Sequence, residues 1–403
     1  MSNTKLARWA QGRMAKRIGI EGFMSHTHQP NKRNTAMTLT RRSVLAGLSA
    51  SIAMPAIAQG FTVTDALGRT VNLKGPLNRV ITTFNYEEFT AVSGVEGWQR
   101  VVAMSRTPWE GWRPAIFSRY TKVIPNLNAM PDVGHIEDNT FSAEKVLAAR
   151  PDVVLMSEWG FSTAKSQMAQ IEAAGIPIVV IDYNAQSLER HLASTRALGL
   201  VMDRKSRSDE LAGLYETQFR DILARAGRAS GAKKTVYVEL GQAGPDTIGN
   251  SYNGTMWGKI ITTLGADNLA TGRLQGPWGP LAAEAVLAAN PDLIFMAGSS
   301  WVNRPRAVRT GYDADEATTR ASLAAYASRP GWAGLKAVQG GGMHAIEHGL
   351  CRTLFDYVAM QYIGKQLYPE QFADVDPVRS FRDYHARYLP VPFSGTWMLP
   401  LKA

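Results

Sequence analysis

FSAEKVLAARPDVVLM, residues 141–156, returns as LAAEAVLAANPDLIFM at residues 281–296, 140 positions later and without a gap. Nine of the sixteen positions are identical, among them Glu144/Glu284, Pro151/Pro291 and Asp152/Asp292. Each copy opens with residues of helical composition, Ala143 to Ala149 in the first. The proline then stops the helix, because it disfavours helical geometry in the residue before it. Asp152-Val153-Val154-Leu155-Met156 follows, an apolar run of the kind buried on both faces of a parallel sheet. Solenoid repeats have periods of roughly 20–50 residues, so this spacing predicts two domain-sized halves of similar build, with the function between them.

Strand and helix signals alternate outward from the first copy, which predicts an α/β class. Arg79 to Thr83 is a β-branched run ending at Phe84-Asn85-Tyr86, and Val101 to Met104 is another. After Met104 comes a long irregular stretch carrying Trp109, Trp112 and Arg113. A helix through Ala164–Ala174, Gly175 as its stop and the strand Ile178–Ile181 complete the first half. Residues 187–228 lack proline, and Ser208 to Ala226 space their apolar positions helically among dense charges. That segment reads as a strut. Beyond it, Thr235–Leu240 and Met343–Ile346 are strand patterns, Trp278 stands in a loop between glycines and prolines, and an amphipathic helix covers about Leu354 to Leu367. The expected divisions are 59–186 and 231–403 for the two lobes, with 187–230 as the linking helical segment.

The chain of 403 residues has a formal net charge of +10, which invites a nucleic-acid partner. The N-terminus removes that invitation. Thr40-Arg41-Arg42-Ser43-Val44-Leu45 is a twin-arginine motif, followed by an apolar stretch to Ile57 and a small-x-small site at Ala56-Ile57-Ala58. The stretch is shorter than the ~20 residues that span a bilayer, so residues 1–58 read as a leader and cleaved twin-arginine signal peptide, with Met37 an alternative start. Nine of the 44 basic and one of the 34 acidic residues lie in it, leaving 35 and 33, close to balance. Cys351 is the single cysteine, so no internal disulfide forms and none sits at the cleavage site to carry a lipid. The expectation is a soluble, monomeric periplasmic protein with no nucleic-acid partner.

Three stretches resemble the periplasmic substrate-binding proteins of ABC importers for iron-siderophore, haem and cobalamin complexes. The mature N-terminus, Asp65-Ala66-Leu67-Gly68-Arg69-Thr70-Val71 through Pro76 to Arg79-Val80, is similar to that family's opening. Both copies of E-x-V-L-A-A-x-P-D are similar to its repeated segment. Gly249-Asn250-Ser251 with Leu264-Gly265-Ala266-Asp267-Asn268 is similar to its second-lobe opening. The resemblance implies two similar α/β lobes with mainly parallel sheets, joined by a single long helix, with the ligand cleft between them. It also implies that Glu144 and Glu284 project from the lobes and pair with arginines of the permease dimer at the inner membrane. An acid in the first turn of a helix also has a purely local use, offsetting the helix dipole by ~0.3–1 kcal/mol.

Ligand contacts on open α/β sheets come from loops at the carboxyl ends of strands. The cleft candidates are therefore Phe84, Asn85, Tyr86, Trp109, Arg113, Trp159, Tyr183, Asn250, Tyr252, Trp278, Trp301, His348 and Arg352. Aromatic residues supply broad apolar walls, and arginines such as Arg106, Arg113 and Arg352 neutralise an anionic chelate. A direct metal site is the competing idea, since His344 and His348 are spaced i, i+4, but Met343–Ile346 reads as a strand, on which they do not converge. No nucleophile elbow, phosphate loop or H-E-x-x-H motif points to catalysis, so no catalytic residue and no resident cofactor are expected, and a twin-arginine-exported periplasmic enzyme is the lesser alternative. The cargo expected is a small-molecule metal chelate, an Fe(III) siderophore first, with molybdate-like oxyanions, haem and cobalamin as alternatives.

Overall fold

The computed structural model describes residues 60–402, so the leader and signal peptide expected over residues 1–58 lie outside the described residues. Strands β1 (Gly60–Thr64) and β2 (Thr70–Lys74) form an antiparallel hairpin. Asp65 closes its turn by accepting from the amides of Leu67 and Arg69, and also from Val180, which ties the hairpin to the first sheet. That sheet has four parallel strands: β3 (Val80–Thr82), β4 (Val101–Met104), β5 (Val153–Ser157) and β6 (Ile178–Ile181), in the order β4-β3-β5-β6. Helices α1 (Tyr86–Ser93), α2 (Pro114–Tyr120), α3 (Ala143–Ala149), α4 (Glu158–Thr163) and α5 (Lys165–Ala173) lie between the strands, and α6 (Leu188–Val201) follows β6.

Residues 187–230 hold two helices, α6 and the 22-residue α7 (Lys205–Ala226) packed against it. The longer helix is bonded to both halves. Arg207 donates to the Ala91 carbonyl in α1, while Arg225 pairs with Asp374 at 2.6 Å and Gln218 accepts from Gln361.

The second sheet is built from β7 (Thr235–Leu240), β9 (Asp267–Asn268), β11 (Leu293–Gly298), β12 (Met343–Glu347) and β13 (Met398–Pro400), with β8 (Asn250–Tyr252) and β10 (Trp278–Pro280) forming a separate antiparallel pair. Its order is β13-β12-β11-β7-β9, parallel except for β13. Without β13 the two sheets have the same order of strands, second-first-third-fourth. Six helices accompany it: α8 (Met256–Thr263), α9 (Ala283–Ala289), α10 (Glu316–Ala327), α11 (Lys336–Gln339), α12 (Tyr357–Leu367) and α13 (Pro377–Tyr388).

The repeated phrase is the same device in both sheets. Helices α3 and α9 each end on a residue in the left-handed region, Arg150 at φ 46° and Asn290 at φ 43°. The aspartate two residues on then reaches to the start of the neighbouring strand. Asp152 donates its amide to the Arg79 carbonyl (2.7 Å) and accepts from the Arg79 amide (2.8 Å). Asp292 does the same with Thr235, at 2.8 and 2.7 Å. Each Pro-Asp therefore sets the register of β5 against β3, or of β11 against β7.

Alternation along the central strands explains their unbroken apolar runs. Val153 and Leu155 of β5 face a core that also takes Leu293, Phe295 and Ala297 of β11. Val154 and Met156 turn to a second cluster, and Ile294 and Met296 to a third. Both sheets are covered on both faces, as parallel sheets require. The first cluster runs continuously through Trp98, Leu211, Tyr215, Val238 and Trp257, so the lobes share a core in addition to a helix.

Four expectations change. Trp278 is in strand β10 paired with Tyr252 of β8, not in an irregular loop. The stretch after Met104 contains a π-helical turn, Thr107–Gly111, and α2. Trp159 lies in the first turn of a short helix, α4, capped by the Ser157 hydroxyl, which accepts from Gly160. The last 30 residues add α13 and the edge strand β13, both stabilised by packing on distant residues.

Candidate ligand-binding site

The carboxyl ends of both sheets meet at one cleft, as the switch-point rule for open α/β sheets demands. From the first lobe it takes Phe84 after β3, Trp112, His135 and Glu137 after β4, Ser157 and Trp159 after β5, and Asn184 after β6. The second lobe supplies Asn250 and Tyr252 of β8, Met256, Trp278 of β10, and His348 and Arg352 after β12. The open space, mouth included, is about 760 Å³. Trp278, half exposed at 50%, stands at the rim.

Seven of the sequence candidates line this cleft: Phe84, Trp159, Asn250, Tyr252, Trp278, His348 and Arg352. Trp301 lines a neighbouring space that shares Trp112, His348 and Arg352 with it. Asn85, Tyr86, Trp109 and Arg113 border a smaller cavity behind Phe84 and Arg352, where Tyr86 and Trp109 are core residues stacked 4.8 Å apart. Tyr183 lines neither space; it is buried with its hydroxyl 3.1 Å from Thr195. Trp112, from the irregular stretch after Met104, and Asn184, expected beside Tyr183, line it as well, while His135, Glu137, Ser157 and Met256 line it without having been among the candidates. Trp112 and Asn184 adjoin candidates on the same loops, whereas nothing local marks His135 or Met256.

Each lobe presents one histidine ringed by aromatic side chains. His135 has Phe84, Trp112 and Trp159 around it, with centroids 4.9–6.5 Å away. His348 has Tyr252, Trp257 and Trp301 at 6.0–6.5 Å. Burial pushes the His135 imidazole down to about 4. Burial, with Arg352 and Arg113 nearby, pushes His348 well below the ordinary histidine range. Both rings are neutral near pH 7. Among the described residues no group of three or more His, Cys, Asp or Glu converges as a metal site would; His344 is apart, bonded through Nδ1 to the Tyr362 hydroxyl at 2.9 Å.

The three arginines proposed to balance an anion have different fates. Arg106 pairs with Glu110 at 2.5 Å and donates to the carbonyls of Leu127, Asn128 and Met130. Arg113 lies 3.2 Å from Glu87 and 3.7 Å from Glu347, tying the first lobe to the second. Arg352 has no carboxylate within ion-pair distance among the described residues; its guanidinium sits 5.5 Å over the Phe84 ring. The cleft thus holds one uncommitted cation, with Glu137 the acid at its rim.

The cleft floor is stitched across the lobes. Glu88 accepts from the Leu354 amide, Gln186 donates to the Cys351 carbonyl at 2.6 Å, and His191 lies 3.2 Å from Asp356. Burial and the neighbouring Glu87 raise the Glu88 carboxyl to about 7. Cys351 is wholly buried and burial pushes its thiol above the range of a reactive cysteine. The arrangement offers apolar faces, amide groups and one positive charge, with no activated nucleophile among the described residues.

The sequence profile described as periplasmic binding protein matches residues 99–344. The crystal structure of the TroA-like periplasmic binding protein FepB from Veillonella parvula superposes with a TM-score of 0.79 at 34% identity, over 84% of this chain and 99% of that one. The molybdate-binding protein MolA of Haemophilus influenzae is 23% identical over 369 residues, 86% of this chain and 95% of that protein. An uncharacterized ABC transporter substrate-binding lipoprotein, YvrC of Bacillus subtilis, is 27% identical over 163 residues, 40% of this chain and half the length of that protein. With two matching parallel sheets whose carboxyl ends enclose one cleft, the chain belongs to the periplasmic binding protein family, substrate-binding components of ABC transporters.

Proposed function

We propose that the protein is the exported, soluble binding component of an ABC importer for a metal chelate, a ferric siderophore in the first instance. The lobes are residues 59–186 and 231–403, linked by 187–230, and the mature chain follows a twin-arginine signal peptide into the periplasm as a monomer. The observation that carries the reading is the cleft lining: five aromatic side chains and two neutral histidines around a single uncommitted arginine. Such walls suit an organic ligand of drug-like size. A tetrahedral oxyanion fills little of this space and gains nothing from tryptophan faces. The protein captures its ligand and passes it on without making or breaking a bond.

Glu144 and Glu284 are the proposed permease contacts. Both are exposed, each in the first turn of α3 or α9, and neither has an ion-pair partner among the described residues. The MolA likeness keeps molybdate as the second reading. Titration of the mature protein with a panel of ferric chelates and with molybdate, followed by tryptophan fluorescence, separates the two. Saturable quenching by a chelate is expected; response to molybdate alone overturns the cargo assignment.

A further inference from the structure

His348 is a cleft residue whose tautomer the fold fixes. Its Nδ1 lies 3.2 Å from the indole nitrogen of Trp257, a side chain that is wholly buried at the start of α8. Indole nitrogen is a donor and never an acceptor. Nδ1 is therefore the acceptor, and in a neutral ring the proton resides on Nε2. Nε2 has no hydrogen-bond partner among the described residues, and the ring borders both connected spaces of the cleft together with Arg352. A histidine held in this tautomer has no Nε2 lone pair to give a metal. It has a proton to give an oxygen.

We propose that Trp257, acting as a positioning residue, holds His348 as an Nε2–H donor that forms, with the Arg352 guanidinium, a subsite for an anionic oxygen of the cargo. The cargo is then a chelate whose metal is already enclosed and which presents a carboxylate or comparable oxyanion to the second lobe. This rests on the chelate reading of the cleft and narrows it to anionic chelates. Tyr252 and Trp301 flank the imidazole and exclude water from it, which strengthens both charge-assisted bonds. Glu137 stands at the rim on the opposite lobe and disfavours a second negative group there.

The test uses the mature protein with ferric citrate, an electroneutral ferric trihydroxamate and molybdate as probes. Ferric citrate binds more tightly than the trihydroxamate, and H348E and R352A each weaken it by at least ~10-fold, since one leaves a buried acceptor facing an acceptor and the other removes the cation. H348Q, which keeps an N–H donor, recovers most of that loss. Two-bond 1H–15N spectra of the wild type show Nδ1 unprotonated and Nε2 protonated, and W257F loses that pattern. A protonated Nδ1 in the wild type overturns the proposal, as does unchanged citrate affinity in H348E. If molybdate binds and no chelate does, the chelate reading fails, and the subsite survives only if H348E and R352A abolish molybdate binding too.

Discussion

At the residue scale, the aspartates of the repeated phrase show how far local sequence reaches. Pro151 and Pro291 mark helix-to-strand junctions that are legible because proline acts on its immediate neighbour. The next residue acts at a distance of 73 positions in one lobe and 57 in the other, through Arg79 and Thr235, and no local pattern announces that. Burial works to raise the Asp292 carboxyl, but Lys336 and the Thr235 amide more than offset it and hold it below the usual range. Replacing Asp152 or Asp292 by alanine should cost about 1.5–3 kcal/mol each, the range for hydrogen bonds to a charged acceptor. The two sites share no partner, so the double variant should lose the sum. Urea unfolding of the three variants checks both statements; an Asp152→Ala protein as stable as the wild type would show that the register is set elsewhere. The cleft-lining residues were legible to a different degree. Phe84, Trp159 and His348 follow strands recognisable in sequence, whereas His135 and Met256 enter the cleft through loops placed only by tertiary packing.

At the element scale, the strands buried on both faces were the readable part, since each is a continuous apolar run with a breaker before it. Elements whose reason for existing lies elsewhere were not. Strand β10 is Trp-Gly-Pro, two of whose three residues disfavour strands; pairing with β8 makes it one. Helix α13 depends on the Asp376 cap and on packing of Phe381 and Tyr384 against Phe355. The matched helices α3 and α9 carry the sharpest prediction here. Reversing charge at both Glu144 and Glu284 should abolish uptake in a transport assay, while the ligand dissociation constant of the purified protein stays the same. Reversal at one should give a partial loss. Full uptake by the double variant would leave the two carboxylates with only their helix-dipole role.

At the scale of the whole molecule, a shared core and a stitched cleft floor join lobes that the repeat alone depicts as separate halves. Opening the cleft widely would break the bonds of Glu88, Gln186 and His191 to residues 351–356, so the movement between ligand-free and loaded forms should be small. The buried histidines set the response to acid. His135, His344 and His385 are pushed down to about 4 by burial and His348 further. A depressed histidine contributes stability above its unfolded value, near pH 6.5, and loses it as pH falls toward the folded one. Glu88 acts oppositely, its raised carboxyl favouring the fold as pH drops from about 7, and Glu87 and Glu137, also raised by burial, act in the same sense. His191 counters them only at the top of the range: Asp356 holds it above the ordinary value against its burial, so its contribution grows from pH 7 to about 6.5 and is complete below that. Four depressed imidazoles against three raised carboxyls predict a lower urea midpoint at pH 5 than at pH 7, because the imidazoles of the unfolded chain take up their protons inside this window; a higher one would mean the imidazoles are not neutral in the fold. The central claim, that the cleft carries an organic metal chelate, is tested most directly by native mass spectrometry and absorbance of the protein isolated from iron-starved cells of its host. The account predicts one iron and one organic chelator per chain, lost together on unfolding, and a bare metal ion or a lone oxyanion at that stoichiometry would contradict it.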